Sequence, residues 1–343
     1  MKRMKKAVTV LTILSLLLFA ACNKKEDETP KKSDGPKKEM FAFPLTGLLT
    51  DDEEAVQVRP VAVVINNDPR ARPQSGLNEA DIIYELLTEG GITRYLAIFQ
   101  SEKPDMVGPA RSARPYFIEL ANGYDAFFVA HGYSPEAKAM LNSGVIDHIN
   151  GIQYDGTLFQ RVSFRKAPHN SYISYENIKK GAEMNQYSLE QTVSPLTFLS
   201  KDEVKKLQGD EPAYKITVQY NNHYSVTYYY DESEKHYTRF TGQEQTVDYE
   251  TNEPLTLENI LIVEANHRIA DEAGRRVIDI MSGGDAILLQ NGWVRYVKWT
   301  NKNGRIVPTT SDGEVGFVPG KTWIHFVPAD PGLKNMVSLS TTE

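Results

Sequence analysis

From about Pro212 to Val327 this 343-residue chain reads as one strand after another, and no other feature limits its fold as much. Segments 214–220, 225–230, 236–241, 259–264, 286–290, 293–299 and 322–327 are rich in β-branched and aromatic residues, the types that fit a pleated, half-buried surface. Asn221-Asn222, Asn291-Gly292, Asn303-Gly304 and Pro319-Gly320 separate them as turns. The second half is therefore expected to be a mainly antiparallel β-rich domain.

The first half alternates strand and helix signals. Pro60-Val-Ala-Val-Val-Ile-Asn66 is the short β-branched run of a buried strand. Asn78 is expected to cap a helix whose apolar set is Ala80, Ile83, Tyr84 and Leu87, with Gly90-Gly91 ending it. Residues 92–100 and 125–130 predict further strands, and 114–122 a helix between them. Ser134-Pro135-Glu136 opens one more helix, with Ser as cap and Pro in the first turn. The expected class is α+β, a mixed α/β chain. Its domains are expected at 41–190 and 191–343, meeting in the polar stretch 187–212.

The amino-terminal end predicts export. Lys2, Arg3, Lys5 and Lys6 precede 15 uncharged residues, Ala7 to Ala21, which is short for a bilayer-spanning helix and right for a signal peptide over 1–21. Phe19-Ala20-Ala21-Cys22 resembles the lipobox of bacterial lipoproteins, with Phe19 where that pattern prefers Leu. The resemblance implies lipid on Cys22 and a protein held on the outer face of the cell membrane. Cys22 is also the chain's single cysteine, so the body has no disulfide, thiolate metal site or cysteine nucleophile. Residues 23–40 follow with eleven charges among 18 positions and one large apolar residue, Met40. They predict a flexible tether, residues 22–40 with the lipidated Cys, whose mean reach is on the order of 20–25 Å. Without the leader's four cations the formal charge moves from −7 to −11. Such an acidic body is not expected to bind nucleic acid or lie flat on anionic lipid.

Two segments carry the chemistry expected of a site. Gly108-Pro109-Ala110-Arg111-Ser112-Ala113-Arg114-Pro115 stands where a strand turns into a helix. Free N–H groups and two guanidinium forks at a helix start describe an anion site. The alternative is that the arginines pair with Asp81, Glu85 or Glu89, which spacing places on one solvated helix face. His131-Gly132-Tyr133-Ser134 follows the 125–130 strand, where loops of open α/β sheets bind ligands. His131 is thus a candidate acid or base. Ser134 is read more simply as a helix cap than as a nucleophile. His169 in Pro168-His169-Asn170 adds a second histidine, but no His-x-x-x-His or His-Glu-x-x-His spacing supports a metal, and no cofactor is expected. Tyr228, Tyr229 and Tyr230 with Trp293, Trp299 and Trp323 are read as packing before a sugar-stacking platform.

Taken in order, these motifs resemble the YerB-like lipoproteins of Gram-positive bacteria, a family named as a domain of unknown function in two parts. The resemblance runs from about Arg59 to Pro328. It is densest in Arg59-Pro60, Asn66-Asn67, Arg72-Pro73-Gln74-Ser75-Gly76-Leu77, Ala80-Asp81, Tyr84-Glu85 and Glu89-Gly90-Gly91-Ile92-Thr93-Arg94. Gly108-Pro109, Arg111 to Arg114 and Pro168-His169-Asn170 continue it, while Tyr133 replaces an expected second glycine. It implies a layered β/β/α, sandwich-like first domain and no established reaction. It also implies that Asn67, Arg72, Arg94, Arg111, Arg114 and His169 form a binding set, with Glu85 and His131 as catalytic candidates, all lining one cleft.

Three functions fit. The first is a non-catalytic protein that binds an anionic envelope polymer or a wall-assembly protein. The second is an envelope hydrolase or transferase acting on phosphate- or carboxylate-bearing glycans, with His131 or Glu85 as acid/base. The third, a solute receptor, lacks the paired βα lobes that role requires.

Overall fold

Val61–Asn66 (β1) is buried at every position, the pattern of a strand inside a sheet covered on both faces. The computed structural model describes residues 39–341, so the leader, Cys22 and nearly all of the tether lie outside the described residues. β1 belongs to a twelve-stranded sheet. Its other principal strands are Ile82–Leu87 (β2), Thr93–Phe99 (β3), Phe127–Ala130 (β4) and His148–Asn150 (β5) from the first half. The second half supplies Asn259–Ala265 (β9), Gly284–Gln290 (β10), Trp293–Lys302 (β11), Arg305–Thr310 (β12) and Thr322–Pro328 (β13). The path runs from β12 through β11, β10, β9, β13, β2, β3, β1 and β4 to β5. A second sheet of six strands includes Lys215–Asn221 (β6), Tyr224–Asp231 (β7), His236–Thr241 (β8) and Val337–Ser340 (β14). Helices Pro115–Asn122 (α1), Pro135–Asn142 (α2) and Tyr175–Met184 (α3) complete a strand-dominated α+β fold.

One expectation fails at the centre of the sheet. Asn78 does not open a helix, and Ile82–Leu87 is a strand, antiparallel to β3 and parallel to β13. Ala80, Ile83, Tyr84 and Leu87 do fall at helical spacing, but Ile82 and Leu86 make the run apolar on both sides. That is how a strand covered on both faces reads, and over six residues helix and strand periods cannot be separated. The acidic helix face disappears with it: Asp81 and Glu85 are fully buried, and only Glu89 remains partly exposed. Gly90 and Gly91, at φ +67° and +74°, make the turn from β2 into β3. The other helix starts are as expected. Pro115 stands in the first turn of α1, and the Ser134 hydroxyl caps α2 by accepting from the Ala137 N–H.

The two faces of the large sheet carry different covers. Val61, Val63, Ile65, Ile83, Tyr95 and Trp323 pack in one core with Ile216, Val218, Val226 and Tyr237 of the six-stranded sheet. The alternate residues Ala62, Val64, Tyr84, Leu96 and Ile98 pack with Phe117 and Leu120 of α1 and Leu141 of α2. The stretch 187–212, expected to separate two domains, holds one short helix, Lys201–Lys206. The large sheet continues across that division, because β13 from the second half pairs directly with β2 from the first.

Candidate functional site

β1, β2, β4, β5, β9 and β13 run in one direction, so their carboxyl ends share one edge with the start of the antiparallel β3. Asn66 and Asn67, Glu85, Thr93 and Arg94, and His131 all fall at or near that edge. Strand geometry then divides them, since successive side chains point to opposite faces. Thr93 turns with Glu85 toward the second sheet, and Arg94 turns the other way. The single cleft expected of the eight residues is therefore two groups on opposite faces of one sheet.

On the inner face Glu85 is sealed between the sheets. Its Oε1 accepts from Thr93 Oγ1 at 2.8 Å and from the Tyr224 hydroxyl. Its Oε2 accepts from Arg239 at 3.0 Å and from the Trp323 indole at 3.1 Å. Arg239, itself fully buried, also donates to Thr241, Thr246, Tyr95 and Tyr224, and lies 4.4 Å over the Trp323 ring. Burial pushes the Glu85 carboxyl up, but Arg239, His325 and the Tyr224 and Thr93 hydroxyls together bring it below its ordinary value. His325 bonds Tyr220 through Nδ1 and Tyr228 through Nε2, and burial drives its pKa down to about 4. A carboxylate with four donors and no solvent contact is a structural ion pair, so Glu85 is not placed for acid–base exchange with a substrate.

At the rim of this network stand Asn67 and Arg72. Asn67 Nδ2 donates to Thr93 Oγ1 at 2.7 Å and to the Tyr224 hydroxyl at 2.6 Å. Its Oδ1 accepts from Arg72 Nε at 2.9 Å, and its backbone carbonyl from Arg72 NH2 at 2.7 Å. Asn67 and Arg72 thus belong with Glu85.

The remaining arginines gather on the outer face. Arg114 pairs with Glu89 through both Nε and NH2, so the pairing reading is right for this residue and Glu89 is its partner. Arg94 shares the same carboxylate at 3.2 Å and donates to the Ser112 carbonyl. Burial, with Arg114 beside it, lowers the Arg94 pKa to about 9. Arg111 precedes the helix, its N–H bonded to the Val64 carbonyl, so it does not share a helical face with Arg114. Among the described residues its guanidinium has no hydrogen bond or ion pair, and its Nε is buried without a partner. Burial and the Arg114 charge both press the Arg111 pKa down.

His131, whose ring packs on Phe159 of the inner core, and His169 both lie close enough to feel the Arg111 charge, and neither is free for chemistry. His131 Nδ1 meets Ser171 Oγ at 2.6 Å, and Nε2 accepts from Arg161, which is itself chelated by Asp155. An arginine donor forces Nε2 to be the unprotonated nitrogen, and burial with Arg161 lowers the ring's pKa. His169 is buried, with Nδ1 accepting from Asn66 Nδ2 at 2.8 Å and Nε2 left without a partner. Ser134 is spent on its cap. Among the described residues no three metal-ligating side chains converge. Tyr228, Trp299 and Trp323 are buried packing and make no exposed platform.

Sequence reasoning missed Arg239, Tyr224 and His325. The signal for Arg239 was the alternation Tyr237, Arg239, which puts both on the inward face of β8. For His325 it was a histidine inside the apolar run Trp323-Ile-His-Phe-Val327.

Comparison with known proteins places this geometry in a family. The model described as "Protein of unknown function (DUF3048) N-terminal domain" matches residues 45–188, and the corresponding C-terminal domain matches 216–324. A Bacillus subtilis (strain 168) protein named "Putative lipoprotein YerB" is 48% identical over 328 residues, covering 95% of this chain and 96% of its own. The crystal structure of YerB from Bacillus subtilis superposes with a TM-score of 0.81 at 49% identity, over 88% of this chain and 99% of that one. The chain belongs to the DUF3048 family of YerB-like proteins.

Proposed function

We propose that this protein is a lipid-anchored, extracytoplasmic binding protein that takes an anionic group of an envelope polymer at the outer face of its large sheet. The relative's name as a lipoprotein supports the anchor, and it agrees with lipid on Cys22. The observation that carries the binding reading is the state of Arg111. Arg94 and Arg114 divide one carboxylate between them, and Arg111 beside them has none. Three guanidiniums against Glu89, with nearby Asp68 already paired to Arg70, leave positive charge at one edge of an acidic protein, and burial strengthens its pull on an anion. The buried Arg111 Nε and His169 Nε2 are donors without an acceptor. A phosphate or carboxylate oxygen would satisfy them. The hydrolase or transferase alternative relies on His131 and Glu85, and both are fully engaged within the chain. A wall-assembly protein presenting acidic side chains would use the same arginines.

The test is co-sedimentation of the protein with purified cell walls, before and after extraction of their anionic polymers. Binding should require the polymer and weaken in Arg111→Ala. Equal binding to extracted walls would reject polymer recognition and favour a protein partner.

A further inference from the structure

On the opposite face of the large sheet, the β2–β3 turn and the β6–β7 turn wall a pocket of about 450 Å³. That lies within the roughly 300–1,000 Å³ typical of small-molecule sites. No carboxylate lines it, whereas the larger depressions of 500–720 Å³ on this protein each carry at least two. Its one permanent charge is Arg72.

Arg72 is held in one orientation. Its Nε and one NH2 hydrogen are committed to Asn67, and Tyr224 lies 5.1 Å beneath it. The edge formed by NH1 and the second NH2 hydrogen has no partner among the described residues. That edge is a two-pronged donor of the shape that takes a carboxylate or phosphate. Asn67 is fixed in turn, because Nδ2 donates to Thr93 and Tyr224, both of which donate to sealed Glu85. The arginine's aim is thus set by a buried, hydrogen-bonded network, which lowers the entropy lost on binding. Gly90 leaves its wall open, since a Cβ there would meet nothing within 4 Å. The Asn221 carboxamide pins the turn by donating to the Gly91 carbonyl at 2.9 Å.

We infer that this pocket binds a small polar molecule through a single carboxylate or phosphate group taken by the free edge of Arg72. The site lies across the sheet from Arg111 and does not depend on the polymer-binding reading.

Ligand-observed saturation-transfer NMR on the full-length protein tests it, with glucose 6-phosphate, glucuronate and uncharged glucose as probes. Saturable binding is expected for one or both anions and not for glucose, and which anion binds identifies the group. Arg72→Gln should weaken it by about tenfold or more, the loss of roughly 1.4 kcal/mol. Asn222→Trp, an exposed change that fills the pocket, should do the same without touching the buried network. Arg111→Ala should leave it unchanged. Binding of neither anion, equal binding of glucose, persistence in Arg72→Gln and Asn222→Trp, or loss in Arg111→Ala would each overturn the assignment.

Discussion

Glu85 and Arg239 meet at 3.0 Å with neither side chain exposed, and they do so across the contact between the two sheets. Glu85 comes from β2 and Arg239 from β8, 154 residues apart, so the pair fixes how one sheet sits on the other. Removing one partner leaves the other charge buried. Glu85→Leu or Arg239→Met should each destabilise the fold by roughly 3–5 kcal/mol. The double variant should lose clearly less than the two combined, because it leaves no orphan charge. Urea unfolding of the four proteins measures this, and additive losses would show that the ion pair is not the coupling element.

His325 makes stability fall on mild acidification. Burial holds its pKa at about 4 when folded, against an ordinary 6.5. Between those values only the unfolded chain takes up the proton, so stability present above pH 6.5 is lost as the pH falls toward 4. Asp81 opposes this. Burial raises its pKa from 3.8 to about 6, so the folded protein keeps that proton longer and gains stability as the pH falls over the same range. Replacing the histidine isolates its share. In His325→Gln the decline should be shallower by up to about 1.4 kcal/mol per pH unit, read from urea midpoints across the window. An unchanged slope would contradict a neutral His325.

Gly123 after α1 packs against the Asn303-Gly304 turn between β11 and β12. A Cβ on Gly123 would lie 2.4 Å from the Gly304 carbonyl carbon and 2.5 Å from its oxygen. Gly304 cannot retreat easily, because it holds φ +87° in a tight hairpin, and a Cβ there would itself lie 2.5 Å from the Gly123 Cα. Gly123→Ala should therefore cost about 1–3 kcal/mol as overpacking, seen as a lower thermal midpoint.

Glu89 links stability to the anion site. Glu89→Gln removes the carboxylate shared by Arg94 and Arg114, leaving both cations largely buried. The variant should be less stable in chloride and should recover more than the wild type when phosphate is added, since bound anion stabilises the folded state by mass action. Thermal midpoints in matched ionic strength report the difference.

Most strands of the second half, though not β12 or β14, and the starts of α1 and α2 were legible because each rests on local chemistry, such as Pro115 or the Ser134 cap. β2 was not, because a sheet buried on both faces erases the alternation that marks a strand, and Glu85 within it read as a solvated charge. The short strand Ser171–Ser174, which brings Ser171 to His131, and α3 after it were also missed. The arginines were legible as a group through their residue type. Which of them were already paired was not, because Glu89 reaches Arg114 from 25 residues away and Glu85 is taken by Arg239 from 154 residues away, register that no local pattern records.

The most direct measurement is the affinity of the protein for a soluble poly(glycerol phosphate) at increasing salt, for wild type, Arg111→Lys and Arg111→Ala. Recognition of anionic groups at the outer face predicts binding that weakens with salt, falls in Arg111→Ala and is only partly kept in Arg111→Lys, which restores the charge but not the buried Nε–H donor. Binding that ignores both salt and Arg111→Ala, or no binding by the wild type, would contradict it.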